Sequence, residues 1–353
     1  KTPLYAGLTA LRRHTPDLLE WNGKTVKNRA KWCLCSVLGC FAEIREVVQD
    51  GKASGKHKFS GVMPCKSVHT CMGCSRWIRS QRAALLQAGI NRHLLAGGSV
   101  VMLTVTVPHS RSDSLLSSLD GLARSWAGFW DSRAVRDIRS GCGLVAQVKN
   151  IEVTFGDANG WHPHNHVLMF VKDDVVPADL ASALFPEWEN YVFKRMGRRV
   201  SKEHGLTVIG GESAADYLLK SGIAPDKDLA KEITHSHRKL AKGGRFTPFG
   251  ILTELGTGDR EFLPLWCEYA VAIHGRPLIT GLDRLLKFYD ISDDEQSSII
   301  DALAVDDSIL KELIDADLWK QIYRANLLDD VIALYNSGKG DLQKILDMLE
   351  VSA

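Results

Sequence analysis

EVTFGDANGWHPHNHVLMF, residues Glu152 to Phe170, is the stretch on which the fold reading turns. An apolar strand runs into the turn-rich GDANGWHP and returns as a second strand carrying His162, His164 and His166. Side chains on a strand alternate between faces, so His164 and His166 project the same way. A neighbouring strand that supplies a carboxylate would complete a three-ligand site, and Glu152 is the natural donor. Two imidazoles and one carboxylate suit a divalent ion acting as a Lewis acid, expected to be Mg²⁺ or Mn²⁺. Pro163 is expected to keep His162 out of the strand ladder, in a supporting position. HExxH spacing is absent and Pro163 disfavours a helix, which argues against a metalloprotease.

Outward from this hairpin, SVVMLTVTVP (Ser99–Pro108) reads as a buried strand closed by proline. Residues 78–96 read as a helix stopped by Gly97-Gly98, and 113–140 and 179–197 as further helices. Leu144–Phe155, His166–Val171 and Thr207–Gly210 read as strands. The last leads into a helix carrying ESAADYLLKS. Residues 223–265 look polar and irregular, with GGRFTPFG as a structured loop, and 266–274 a short amphipathic helix. From about residue 290 the pattern is helical and acidic, broken at Asn336–Gly340. Strands separated by helices of varied length predict an α+β fold with an antiparallel sheet rather than a regular parallel βαβ array. The expected domains are 1–76, a basic arm and zinc-binding module; 77–285, the sheet domain with the histidines; and 286–353, an acidic helical bundle.

Six of the eight cysteines lie between Cys33 and Cys74. Cys65, Cys71 and Cys74 sit in PCKSVHTCMGC, where the last two have the spacing of a metal knuckle. A structural Zn²⁺ is expected, with Cys35 or Cys33 as the fourth ligand, Cys35 taken first, and Cys40 and His69 behind them. Thiol redox chemistry is the competing use of a CxxC, but a third and fourth nearby cysteine argue against it. Such clustering fits a reducing, cytoplasmic setting, since Lys1–Gly23 does not resemble a secretory signal and no apolar run suits a bilayer.

The chain has 353 residues, 45% hydrophobic, enough for two cores. Its net charge of +2 is unevenly divided. Residues 1–92 carry about +11 and residues 290–353 about −10. A basic front end suits a polyanion, because each neutralised phosphate releases counterions.

Tyr217 and Lys220 lie three apart in ADYLLKS, on one helical face. A phenol has a reference pKa of about 10, so attack on phosphate needs a nearby cation and a polarised phosphate. YLLK is a short motif, and its weight comes from following the histidines in order.

Together these pieces resemble the HUH endonuclease superfamily, and within it the replication initiators of rolling-circle plasmids. The resemblance rests on CKSVHTCMGCSRWIRSQRA, MLTVTVPHS, the histidine stretch, YLLK, TPFGILTEL and WCEYAVAIHGRPLITGL, over roughly residues 30–285. It implies that Glu152, His164 and His166 hold a divalent ion and that Tyr217 attacks the phosphate, with Lys220 as helper. The products would be a 5′-phosphotyrosyl link and a free 3′-hydroxyl. Asn165 stands between the histidines where such proteins usually have a hydrophobic residue. The acid that some relatives place four residues before the tyrosine is here Ser213. Glu212 is taken as the candidate acid, with Asp216 also near. Ser221 stands where two-tyrosine relatives could have a second phenol, which favours a single-tyrosine scheme.

The partner implied is DNA, an origin hairpin and single strands, gripped by Arg76, Arg79, Arg82, Arg92, Arg195, Arg198 and Arg199. A host helicase or self-association is a further expectation for the acidic C-terminal segment, and a membrane is not. The rival readings are a single-strand transposase of the same chemistry and a non-enzymatic zinc DNA-binding regulator.

Overall fold

The computed structural model describes residues 3–49, 51–172, 175–210, 245–304 and 308–352. Helix α1 (Pro3–His14) buries Tyr5, Leu8 and Leu11, so the expected basic arm is a packed element. Strands β1 (Leu18–Trp21) and β2 (Lys24–Lys27) form a tight hairpin through Asn22 and Gly23. Both turn residues have positive φ, the conformation that matches the twist of a two-residue hairpin. A second hairpin joins β3 (Phe41–Gln49) to β4 (Lys52–Ser60). Helix α2 (Met72–Leu95) ends before Gly97, whose φ of +81° few other residues adopt.

Next come β5 (Ser99–Thr106), α3 (Leu115–Asp131) and α4 (Arg133–Gly141). The single helix expected over 113–140 is two, because Ser132 is extended and its hydroxyl accepts from Val135 N–H, capping the second. Strands β6 (Leu144–Gly156) and β7 (Gly160–Val171) form the long hairpin, followed by α5 (Pro177–Met196) and β8 (Leu206–Gly210). After β9 (Arg245–Phe246), the TPFGILTEL segment is a helix, α6 (Pro248–Gly256), where a loop was expected. Its Ile251, Leu252 and Leu255 are buried at helical spacing, a signal that the neighbouring glycines and proline obscure. Helix α7 (Phe262–Ile273), β10 (Ile279–Thr280), α8 (Leu282–Phe288), α9 (Asp293–Ala304), β11 (Ser308–Asp315), α10 (Ala316–Arg324), α11 (Leu328–Asn336) and α12 (Leu342–Ser352) complete the order.

The chain divides into two compact units. One comprises Arg79–Pro248 with Glu268–Ile300, the other Lys1–Ile78 with Phe249–Cys267 and Asp301–Ala353. Every strand pairing among the described residues is antiparallel.

In the first unit the strand order is β10-β6-β7-β5-β8, with β9 also on β6. Odd-numbered Val101, Leu103 and Val105 of β5 and Val167, Met169 and Val171 of β7 pack against the α3 and α5 aromatics Phe129 and Trp188. Even-numbered Val100, Met102, Leu168 and Phe170 pack against Leu85, Leu86 and Ile90 of α2 and Leu285 of α8. Both faces are therefore apolar at this end of the strands. Further along, the even face turns polar, and the histidines lie there.

In the second unit the order is β11-β3-β4. This corrects the expected boundaries. The segment 286–353 is not a separate helical bundle, because β11 pairs with β3 from Ser308↔Val47 to Asp315↔Phe41. Trp319 of α10 is fully buried, donates Nε1–H to the Leu34 carbonyl at 2.9 Å and packs edge-on against Phe59. Tyr323 donates to the Lys31 carbonyl at 2.7 Å, and Arg12 lies over its ring. Most of the basic N-terminal stretch, 1–78, and most of the acidic C-terminal stretch, 301–353, thus belong to one compact unit, a long-range pairing that periodicity does not encode.

Candidate active site

The β6–β7 register sets Glu152 opposite His164, Asn150 opposite His166 and Thr154 opposite His162. Directly paired residues share a face, so these six side chains line one surface. One carboxylate oxygen of Glu152 lies 3.0 Å from His164 Nε2 and 2.8 Å from His166 Nε2. One ligand atom from each of the three falls within 4.8 Å of the others.

His162 is in the ladder, contrary to the expectation from Pro163. The last β5 pair is Thr106↔His164, so at Pro163 one flank of β7 is open and a missing N–H is tolerated.

Thr104 of β5 faces His166 and brings its Oγ1 within 3.0 Å of His166 Nδ1. With an ion at the triad, Thr104 Oγ1 would accept the Nδ1–H and fix the ring, leaving the Nε2 lone pair for the ion in place of the Nε2–H that otherwise donates to Glu152. Burial would raise the Glu152 carboxyl, but hydrogen bonds from the two imidazoles outweigh it and hold the group well below the usual carboxylate range. Burial also lowers His166. Burial, with the neighbouring His164, His109 and Arg245, pushes His162 down to about 3. At neutral pH the site is therefore one carboxylate with neutral His162 and His166. The Asn150 Oδ1 on the same face is buried with no hydrogen-bond partner, an oxygen that an ion or its water could satisfy. This mixed nitrogen and oxygen set could hold a divalent metal ion.

Arg79 of α2 is half-buried, and its charge is felt by Tyr269 and Glu152. Arg76 and Arg195 are exposed. The remaining arginines expected to grip DNA are engaged elsewhere: Arg92 with Glu295 at 3.0 Å, Arg198 with Asp113 at 2.8 Å, Arg199 with Glu189 at 3.1 Å, and Arg82 near Asp283 at 4.0 Å. Glu212, Ser213, Asp216, Tyr217, Lys220 and Ser221 lie outside the described residues.

The second cluster gathers Cys33, Cys65, Cys71 and Cys74. The Sγ of Cys74 lies 3.7 Å from both Cys33 Sγ and Cys65 Sγ. A tetrahedral zinc with bonds of about 2.3 Å sets its sulfurs about 3.8 Å apart, so these thiols fit the ion. Hydrogen bonds within the group hold Cys65 and Cys74 toward thiolate and Cys33 and Cys71 toward neutral thiol. The Cys65 Sγ also accepts from Ser67 N–H at 3.4 Å.

Cys35, the fourth ligand taken first from sequence, is outside this group and lies beside Ser36. Leu34 accounts for the difference. Its φ of +63° turns the chain so that Cys33 is buried inward and Cys35 is not. Spacing cannot distinguish two cysteines flanking such a residue. Cys40 is exposed, and neither it nor His69 joins the cluster.

Fold and site define an antiparallel α+β protein with a Glu-His-His centre and a four-cysteine centre, each able to hold a metal ion. Residues 56–180 match the family model described as replication protein. Over 348 residues the chain is 26% identical to "Protein rep" of Streptomyces lividans, covering 78% of this chain and 75% of that one. It is 24% identical over 143 residues to "Neomycin resistance protein" of Streptomyces cyanogenus, covering 34% of this chain and 33% of that one. No solved structure matches the chain. The replication-protein match and the long similarity support a plasmid replication initiator. No described helix is long and apolar enough to cross a membrane.

Proposed function

We propose that this protein nicks one DNA strand at a specific site and remains joined to it, initiating rolling-circle plasmid replication. The convergence of Glu152, His164 and His166 on one polar strand face carries this reading. On it, the unit 79–248 with 268–300 is an HUH endonuclease domain, and the four-cysteine centre is a structural zinc site. A divalent ion held by the triad would polarise the scissile phosphate and stabilise the charge that develops there.

Tyr217 supplies the nucleophile. Its phenolate oxygen bonds to phosphorus as the P–O3′ bond breaks, and the departing oxygen takes a proton to become a primer hydroxyl. The 5′-phosphotyrosyl ester keeps the phosphoester energy, so a 3′-hydroxyl can later reverse the step and transfer the strand. Lys220 favours the phenolate, and Glu212 is assigned to water activation at termination. Half-buried Arg79, near Glu152, offsets the phosphate charge.

The test is relaxation of supercoiled origin plasmid with Mn²⁺, followed by mass spectrometry of the residue bonded to a cleaved single strand. Wild type should relax the plasmid and Tyr217→Phe should not. Equal relaxation by both, or a DNA adduct on another residue, removes Tyr217 from the mechanism.

A further inference from the structure

The polar face extends past the triad toward the tip of the β6–β7 hairpin. Thr154 and His162 are paired there, and Gly156 is paired with Arg245 of β9, so Arg245 shares the face. Thr154 Oγ1 and His162 Nδ1 are both buried with no hydrogen-bond partner. Thr154 is more than nine-tenths buried. Buried polar groups are normally satisfied, so these two beside a charged neighbour call for a ligand. Arg245 is exposed and makes no ion pair among the described residues. The His109 ring lies 4.5 Å from the His162 ring and is anchored by its Nδ1, 3.1 Å from the Val107 carbonyl. His109 thus braces His162 from the loop after β5.

We infer that Thr154, His162 and Arg245 form a subsite for a phosphodiester of single-stranded DNA, adjoining the one held at the triad. This rests on the nicking function proposed above. The chemistry selects an anion: a hydroxyl and an imidazole N–H donate to phosphate oxygens, and a guanidinium supplies the charge. A cation is disfavoured by Arg245. No fixed hydrogen-bond pattern for a base edge is present in these three groups, so the contact is to backbone and independent of sequence. It gives the strand a direction across the sheet, from the His166 end toward the hairpin tip.

Fluorescence anisotropy with labelled oligo(dT) over a range of NaCl concentrations tests this, in full-length protein carrying Tyr217→Phe so that no strand is cut. Arg245→Ala should weaken binding severalfold and flatten the slope of log K against log salt by about 0.7, the value for one phosphate contact on a single strand. His162→Ala should weaken binding about threefold to tenfold without changing the slope, because a neutral donor displaces no counterion. His162→Gln, which keeps an N–H, should recover most of that loss. Affinities and slopes equal to the parent in both alanine variants, with unchanged melting temperatures, would overturn the subsite alone. A parent protein that does not bind oligo(dT) would overturn the DNA-nicking reading, and the subsite with it.

Discussion

Thr104 and His166 face each other across the β5–β7 ladder, with the hydroxyl oxygen 3.0 Å from the imidazole Nδ1. The contact comes from a strand that adds no residue to the Glu-His-His cluster, yet it sets the orientation of His166, which does. Thr104→Val keeps shape and β propensity while removing the acceptor. It is expected to weaken Mn²⁺ binding about tenfold to a hundredfold with little change in fold. Isothermal titration calorimetry of wild type and variant would measure this, and equal affinities would show that packing alone holds His166.

The cysteine cluster predicts opposite outcomes for two residues only two positions apart. Cys33→Ser should lose zinc, whereas Cys35→Ser and wild type should each retain about one equivalent. Metal content after dialysis, by atomic emission, decides between them. Zinc lost from the Cys35 variant and kept by the Cys33 variant would reverse the assignment.

Asp113 anchors the loop that carries His109. It accepts from Ser110 N–H at 2.7 Å, from the Ser110 hydroxyl at 3.0 Å and from Arg198 at 2.8 Å. Burial raises its carboxyl, but the Arg198 and Ser110 hydrogen bonds outweigh burial and hold it below the usual range. A depressed folded pKa means stability present above the unfolded value of about 4 and lost as pH falls through the folded value. Asp113→Asn should cost about 1 kcal/mol at neutral pH, discounted for the partly exposed pair, and almost nothing at the lowest pH where the protein stays folded. Urea unfolding at the two pH values tests this. A deficit that does not change with pH would assign the effect to geometry rather than charge.

Trp319 tests whether the C-terminal segment is an appendage or part of the zinc unit. Its ring is fully buried and its N–H serves the Leu34 carbonyl, next to Cys33 of the four-cysteine cluster. Trp319→Ala is expected to cost about 3–5 kcal/mol and to speed zinc loss to a chelator. Zinc release at the wild-type rate would separate the two ends of the chain.

The histidine hairpin was legible because it is local. Alternation over a dozen residues gives the face, and one short turn brings Glu152 back opposite His164. Thr104 left a trace as well, since MLTVTV places polar side chains at 104 and 106 in an otherwise apolar strand. Asn150, Thr154 and Arg245 did not stand out, because their meaning lies in cross-strand register, which a single strand does not reveal. The choice of Cys33 over Cys35 depends on the backbone of Leu34. The pairing of β11 with β3 joins residues more than two hundred positions apart, and an acidic run with helical spacing gave no sign of a strand there.

That pairing has a consequence during synthesis. A ribosome exposes β3 and the cysteines long before it reaches residues 308–315, and the whole Glu-His-His unit is translated in between. Until the last segment leaves the exit tunnel, β3 has an edge without its neighbour and the pocket around Phe59 lacks its tryptophan. The Glu-His-His unit can therefore be translated in full while the four-cysteine unit still lacks its last strand, and truncated translation products would carry a histidine cluster on a chain whose amino-terminal sheet has never closed.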